Sequence, residues 1–351
     1  MSNGNNTTEN QNNAVNGRKT ALKALQQKRG SKIISYVVNT RQGVNYQIAD
    51  DAVRIIYDHL LDAGVGNDTK IDLFLHSFGG AGVVPWKLVN LIREFSKKFE
   101  VIIPYKAYSA ATLIALGANK IIMHPMGELG PVDPKVGNEF NPVTPQGQSV
   151  GINVEDVVSY ISLIKEQVGI RHEDELVQAF NILANQVHPL ALGNVHRFYS
   201  QSRMMTRKLL KLHTEKDQEH KIDEIVETLT SKLFFHGHPI NRKEAKEINL
   251  KVEEPDSETE KLIWKLYQEY ESNLELTTPF NPNELLNSSN QNDINVNVRG
   301  ACVESENLCH AFISELRIMR PPIPQNAPLQ IQLQAQTQAM VVPLKSGWVK
   351  E

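Results

Sequence analysis

Cysteine is nearly absent. Cys302 and Cys309 are the only two in 351 residues and both stand near the C-terminus, so disulfides cannot hold the main body together and a reducing, cytoplasmic setting is expected. Long apolar runs are also missing: the longest, Ala107 to Ala118, is flanked by Lys106 and Lys120 and falls short of the roughly 20 residues a membrane-spanning helix needs. No sign of charge dominates, since 37 basic residues face 40 acidic ones for a net charge of −3. A global field drawing nucleic acid or an anionic membrane is therefore excluded. The first 16 residues are polar and Asn-rich with no apolar segment, which excludes a signal peptide and predicts disorder. What remains, 40% hydrophobic and 22% charged, is the composition of an ordinary globular protein of about two units.

A basic stretch from Arg18 to Arg29 predicts a short helix. Ile33 to Val38, Ile71 to Leu75, Val101 to Ile103 and Ile121 to Met123 are short runs rich in Ile and Val, the pattern of strands buried on both faces. Between them, Ile48 to Leu61 and Val83 to Phe99 carry apolar residues at helical spacing. This alternation predicts an α/β fold with a mostly parallel sheet covered by helices. Beyond Asn153 helices are expected at about Glu173 to Gln186, Val195 to Leu212, Ile222 to Phe235 and Glu258 to Leu274. Asn153 with Asp156, and Asn241 with Glu244, carry helix-start signals. Pro279 to Val298 has the composition of a linker, Ala301 to Met319 of a separate helical appendage, and the Pro- and Gln-rich tail from Pro321 of a mobile segment. The expected division is a disordered tail over 1–17, a main α/β domain over 18–255, a helical extension with an Asn-rich linker over 256–320 and a low-complexity tail over 321–351.

Three pieces of the βα half can carry chemistry together. His76-Ser77-Phe78-Gly79-Gly80 ends a buried strand, and paired glycines there allow a turn whose amides point outward toward an anion or a developing oxyanion. Tyr108-Ser109-Ala110-Ala111-Thr112 opens an apolar helix, placing a hydroxyl beside unsatisfied amides and the positive end of a helix dipole. Met126 to Pro134 is a Gly/Pro-punctuated loop leaving a strand, the usual place for a site in an α/β protein. Each also has a purely structural use, as a strand-to-helix turn, a helix cap and a loop.

In combination these motifs resemble the Clp/crotonase superfamily. More narrowly, His-Ser-Phe-Gly-Gly (76–80), Tyr-Ser-Ala-Ala-Thr-Leu-Ile-Ala-Leu-Gly-Ala (108–118) and Gly-Glu-Leu-Gly-Pro-Val-Asp-Pro (127–134) are similar to the serine dehydrogenase proteinase family, relatives of signal peptide peptidase A and the Clp peptidase. Pro-Leu-Ala-Leu-Gly (189–193) and His236 to Ala245 extend the likeness, which spans about Ile33 to Val252. The resemblance implies a Clp/crotonase-like spiral fold with a helical C-terminal portion, a serine peptidase with Ser109 as nucleophile, and an oxyanion hole from the amides of Gly80 and Ala110 with Gly79 shaping the turn. The Clp histidine position reads Gly130 to Pro134 here, with no histidine. Lys165 and His124 stand as alternative bases, and Asp133 as a group that orients a base or adds charge.

The resemblance implies no cofactor, and a peptide substrate taken up by a homo-oligomer, with the helices between Val195 and Phe235 as the candidate interface. The histidines at 213, 220, 236 and 238 lack any zinc-binding framework, so no metal is expected from them. Arg203, Arg207, Lys208 and Lys211 on one helix predict a solvated face rather than a nucleic-acid patch. Two rivals remain: a crotonase-type acyl-CoA enzyme on the same fold, and a catalytically impaired peptidase that binds peptides or a partner.

Overall fold

The computed structural model describes residues 17–132, 135–136, 139–144, 150–232, 237–322 and 338–351. Helix α1 (17–29) leads into β1 (Lys32–Val38), α2 (Asp51–Asp62), β2 (Ile71–His76), α3 (Val84–Phe95), β3 (Phe99–Ile103), β4 (Lys106–Ala107), α4 (Ala110–Leu116) and β5 (Lys120–Met123). Short strands β6 (Glu128–Leu129), β7 (Lys135–Val136) and β8 (Ile152–Asn153) precede the helices α5 (Val154–Ser162), α6 (Glu173–Gln186), α7 (Pro189–Lys211) and α8 (His220–Glu227). Then come β9 (Ile240–Asn241), α9 (Arg242–Glu247), β10 (Val252–Glu253), α10 (Ser257–Asn273), α11 (Pro282–Ser289), β11 (Asp293–Glu304), β12 (Cys309–Met319) and β13 (Met340–Lys350).

The main sheet has eight strands in the order β10-β5-β3-β2-β1-β11-β12-β13. The first five run parallel to one another and the last three are antiparallel additions on the β1 side. Side chains alternate across it with period two. Ile34, Tyr36 and Val38 of β1, Leu73 and Leu75 of β2, Val101 and Ile103 of β3, and Ile121 and Met123 of β5 enter one core. Residues of α2, α3, α4, α7 and α8 close that core. Ile33, Val37, Phe74, Ile102 and Ile122 enter a second core, closed by α1 and α10. Burial on both faces is why these strands look uniformly apolar in sequence. All seven residues of α4 are buried, so the run from Ala107 to Ala118 is built around a short core helix. No helix among the described residues is long and apolar enough to cross a membrane.

The predicted α/β architecture is therefore present, with α6 and α10 close to their expected limits and the Asn241 side chain accepting from the Lys243 and Glu244 amides at the start of α9. The C-terminal expectation is corrected. Ala301 to Met319 is not helical: it spans most of the β11–β12 hairpin, paired from Asp293↔Met319 to Glu304↔Cys309. The supposed linker contains α11 and the first half of β11, where Ile294, Val296 and Val298 alternate with Asn295, Asn297 and Arg299. That alternation is strand chemistry, and the Asn content of the solvent face masked it. Within the supposed tail, residues 340–350 form β13, paired to β12 along their length. The tail over 1–16, the Asn153 cap and most of the stretch 321–337 lie outside the described side chains.

Candidate active site

Ser109 stands at the β4–α4 junction with φ 52° and ψ −114°. Left-handed backbone is uncommon for a residue with a Cβ and costs on the order of 1–3 kcal/mol. A serine that served as a helix cap would have extended backbone and bond an amide of the first turn. Ser109 has neither, since its side chain makes no capping bond. Its hydroxyl faces a groove of about 820 Å3 that Gly79, Gly80 and Ala110 also line.

The glycine pair is held against Ser109 on purpose-built backbone. Gly79 has φ 111°, and a Cβ there would stand 2.8 Å from the Ser109 Cβ and 2.9 Å from the Tyr108 carbonyl. A Cβ on Gly80 would overlap the Ile48 peptide. Ile48 fixes the turn by donating to the Gly79 carbonyl at 2.8 Å and accepting from the Ala81 amide at 2.9 Å. The Gly79 amide is occupied by the Ser77 hydroxyl at 2.9 Å. Among the described residues the Gly80 and Ala110 amides donate no such bond, and both border the groove. Two free donors beside an unpartnered hydroxyl are what stabilisation of a tetrahedral oxyanion requires.

Thr112 ties the helix to the following loop. Its hydroxyl shares its single proton between the Ala107 and Gly130 carbonyls, each at 2.8 Å, and accepts from the Gly130 amide at 3.2 Å. This positions Val132, which lines the groove, relative to Ser109. Neighbouring Tyr108 donates to Glu128 at 2.5 Å, and burial, then Glu128, pushes its phenol up. The floor is apolar, with Leu113, Val132, Phe198 and Met205.

The opposite rim is the segment Asn39–Gln47, for which the sequence carries no signal beyond Gly43. It is anchored from a distance. Asn39 donates to the Leu274 and Arg299 carbonyls at 3.0 and 2.7 Å, the Phe280 amide donates to Gln42 at 2.8 Å, and Tyr46 packs over Gly300 and against Phe312. Arg41 is held by Glu275 and the Thr278 carbonyl. Beneath the rim, His76 is neutral: burial, then Lys106, pushes it down to about 3, its Nδ1 accepting from the Lys106 amide and its Nε2 bonding Thr40.

The sequence-predicted bases are not brought to this groove. His124 continues the alternation of β5 onto the α10 face, opposite α4, where it stacks on Trp264 at 5.0 Å and accepts from the Met126 amide at 3.1 Å. Burial lowers it despite Glu260. Lys165 is exposed on the turn Leu163–Gln167 while Ile164 alone points inward, so the apolar enclosure expected around its amine is absent. Neither lines the groove, whose described lining contains only Arg41 and Tyr46 as ionisable groups. Asp133 lies outside the described residues; Val132, which precedes it, is in the groove wall.

Known proteins match part of this chain. An uncharacterized protein of Methanocaldococcus jannaschii is 29% identical over 202 residues, 58% of this chain and 60% of that protein. A second uncharacterized protein of the same organism is 26% identical over 185 residues, 53% of this chain and 52% of its own. The chain thus spans between half and two thirds of the length of these relatives. Residues 7–145, which include Gly79, Gly80, Ser109 and Ala110, match the family model described as ClpP-like SDH-type serine proteinase.

Proposed function

We propose that this protein is a serine peptidase that cleaves peptide bonds through an acyl-enzyme on Ser109. The Ser109 hydroxyl attacks the scissile carbonyl and its proton passes to a base. The oxyanion is held by the Gly80 and Ala110 amides, the amine departs protonated, and water then releases the acyl group. The observation that carries the reading is the backbone of Ser109: a left-handed, uncapped serine facing two free amides. Of the two base candidates, Lys165 and His124, neither lines the groove, whereas Asp133, expected to orient a base or add charge, follows Val132, which does. The rim of amide side chains and the apolar floor suit an extended, uncharged stretch of peptide. Homo-oligomerisation through α7 and α8 belongs to the same proposal and is checked by sedimentation.

Labelling with a fluorophosphonate tests it. The wild-type chain is expected to label and to hydrolyse peptides, and Ser109→Ala to do neither. Undiminished labelling of Ser109→Ala removes that residue from the mechanism. Comparing Asp133→Asn, Lys165→Ala and His124→Ala in hydrolysis identifies the base, because a variant with full activity eliminates its residue. Peptide binding without turnover at any pH favours the binding-protein alternative, and saturable acyl-CoA binding without labelling favours a crotonase-type enzyme.

A further inference from the structure

The two cysteines meet in the second core and do not line the Ser109 groove. Cys302 on β11 and Cys309 on β12 are both fully buried free thiols, with their sulfurs 3.9 Å apart. Glu304 stands directly opposite Cys309 in the hairpin, and one of its carboxylate oxygens and the two sulfurs all lie within 4.8 Å of one another. Glu304 Oε2 accepts from Arg18 Nε at 2.9 Å and from the Tyr270 hydroxyl at 2.9 Å, while Oε1 is buried without any partner. A buried carboxylate oxygen without a partner is costly, and this one, beside two thiols, is open to a metal ion.

We propose that Cys302, Cys309 and Glu304 form a structural site for one zinc ion. Sulfur and carboxylate are the donors zinc selects, and a tetrahedral ion with bonds of about 2.3 Å separates two sulfurs by about 3.8 Å, close to the 3.9 Å observed. Charge balances as well. Binding releases both thiol protons, so two thiolates and Glu304 are offset by Zn2+ and Arg18, leaving no net charge buried. Arg18 is placed to support this, with Nη2 3.9 Å from Cys309 Sγ. A fourth ligand is within reach in Glu351, whose Oε2 is 3.5 Å from the same sulfur. The ion would stitch the β11–β12 hairpin, through Glu304 and Arg18, to α1.

The test uses the untagged full-length chain produced in zinc-containing medium. Elemental analysis is expected to give one zinc per chain, lost in Cys302→Ser and Cys309→Ser, and cobalt replacement to give a thiolate-to-metal charge-transfer band. A strong chelator should lower the wild-type melting temperature and leave the Cys302→Ser/Cys309→Ser melting temperature unmoved. The wild-type measurements stand alone if the variants fail to fold. A zinc-free wild-type chain without a cobalt thiolate band overturns the proposal. So does a mass two daltons low, which signals a disulfide, or an equivalent of zinc retained by the double variant.

Discussion

Gly79→Ala should disable the site while leaving the fold standing. The added Cβ would lie 2.8 Å from the Ser109 Cβ, 2.9 Å from the Tyr108 carbonyl and 3.2 Å from the Ala110 amide nitrogen, where ordinary contact begins at 3.4 Å. Relief requires Ser109 and the Ala110 amide to move away from Gly80 by roughly half an ångström, and the alanine must hold φ near 111°, at on the order of 1–3 kcal/mol. Loss of one aligned oxyanion donor costs about 10²–10³-fold, and a misplacement of about 1 Å about 10²-fold. The expected result is a fall on the order of 10²-fold in the second-order rate of fluorophosphonate labelling, with a melting temperature lower by only a few degrees. Gly82 supplies the control: it lines the same groove, has nothing within 4 Å of an added Cβ and lacks a positive φ, so Gly82→Ala should label normally. A Gly79→Ala rate within about threefold of wild type would refute the coupling of the glycine turn to Ser109.

Two further outcomes follow from buried polar groups. Thr112→Val leaves the Ala107 and Gly130 carbonyls without the hydroxyl they share, so unfolding free energy should fall by about 1–3 kcal/mol in urea titration, and Thr112→Ser should recover most of it. His59 and His213 are lowered to about 4 and His76 to about 3, in each case by burial first. Below the ordinary histidine value of about 6.5 the unfolded chain takes up protons that the folded chain refuses. Stability is therefore whole above that pH and is lost as pH falls toward 4, at up to about 4 kcal/mol per unit if all three act; equal urea midpoints at pH 7 and pH 5 would contradict it.

The placement of Ser109, Gly79 and Gly80 was legible in sequence because it is local: a turn that only glycine tolerates and a serine at a helix start. The placement of His124 was not, because a side chain's face depends on register. His124 is one residue beyond Met123, and the alternation that sends Met123 toward α4 sends His124 toward Trp264. Loop Asn39–Gln47 enters the groove through anchors at 274–280 and 299–312, and no local pattern encodes such partners. β11 was misread because its solvent face is built from Asn, a residue typical of loops.

Those distant anchors set the order of assembly on a growing chain. Ser109 is synthesised early, yet the rim of its groove is pinned by Leu274, Phe280, Arg299 and Gly300, and β1 lacks its neighbour on one side until β11 emerges. Arg18 waits for a carboxylate 286 positions later. Contacts this far apart in sequence form slowly, so a nascent chain would carry Ser109 without a finished groove until residues 274–304 have emerged and begun to dock.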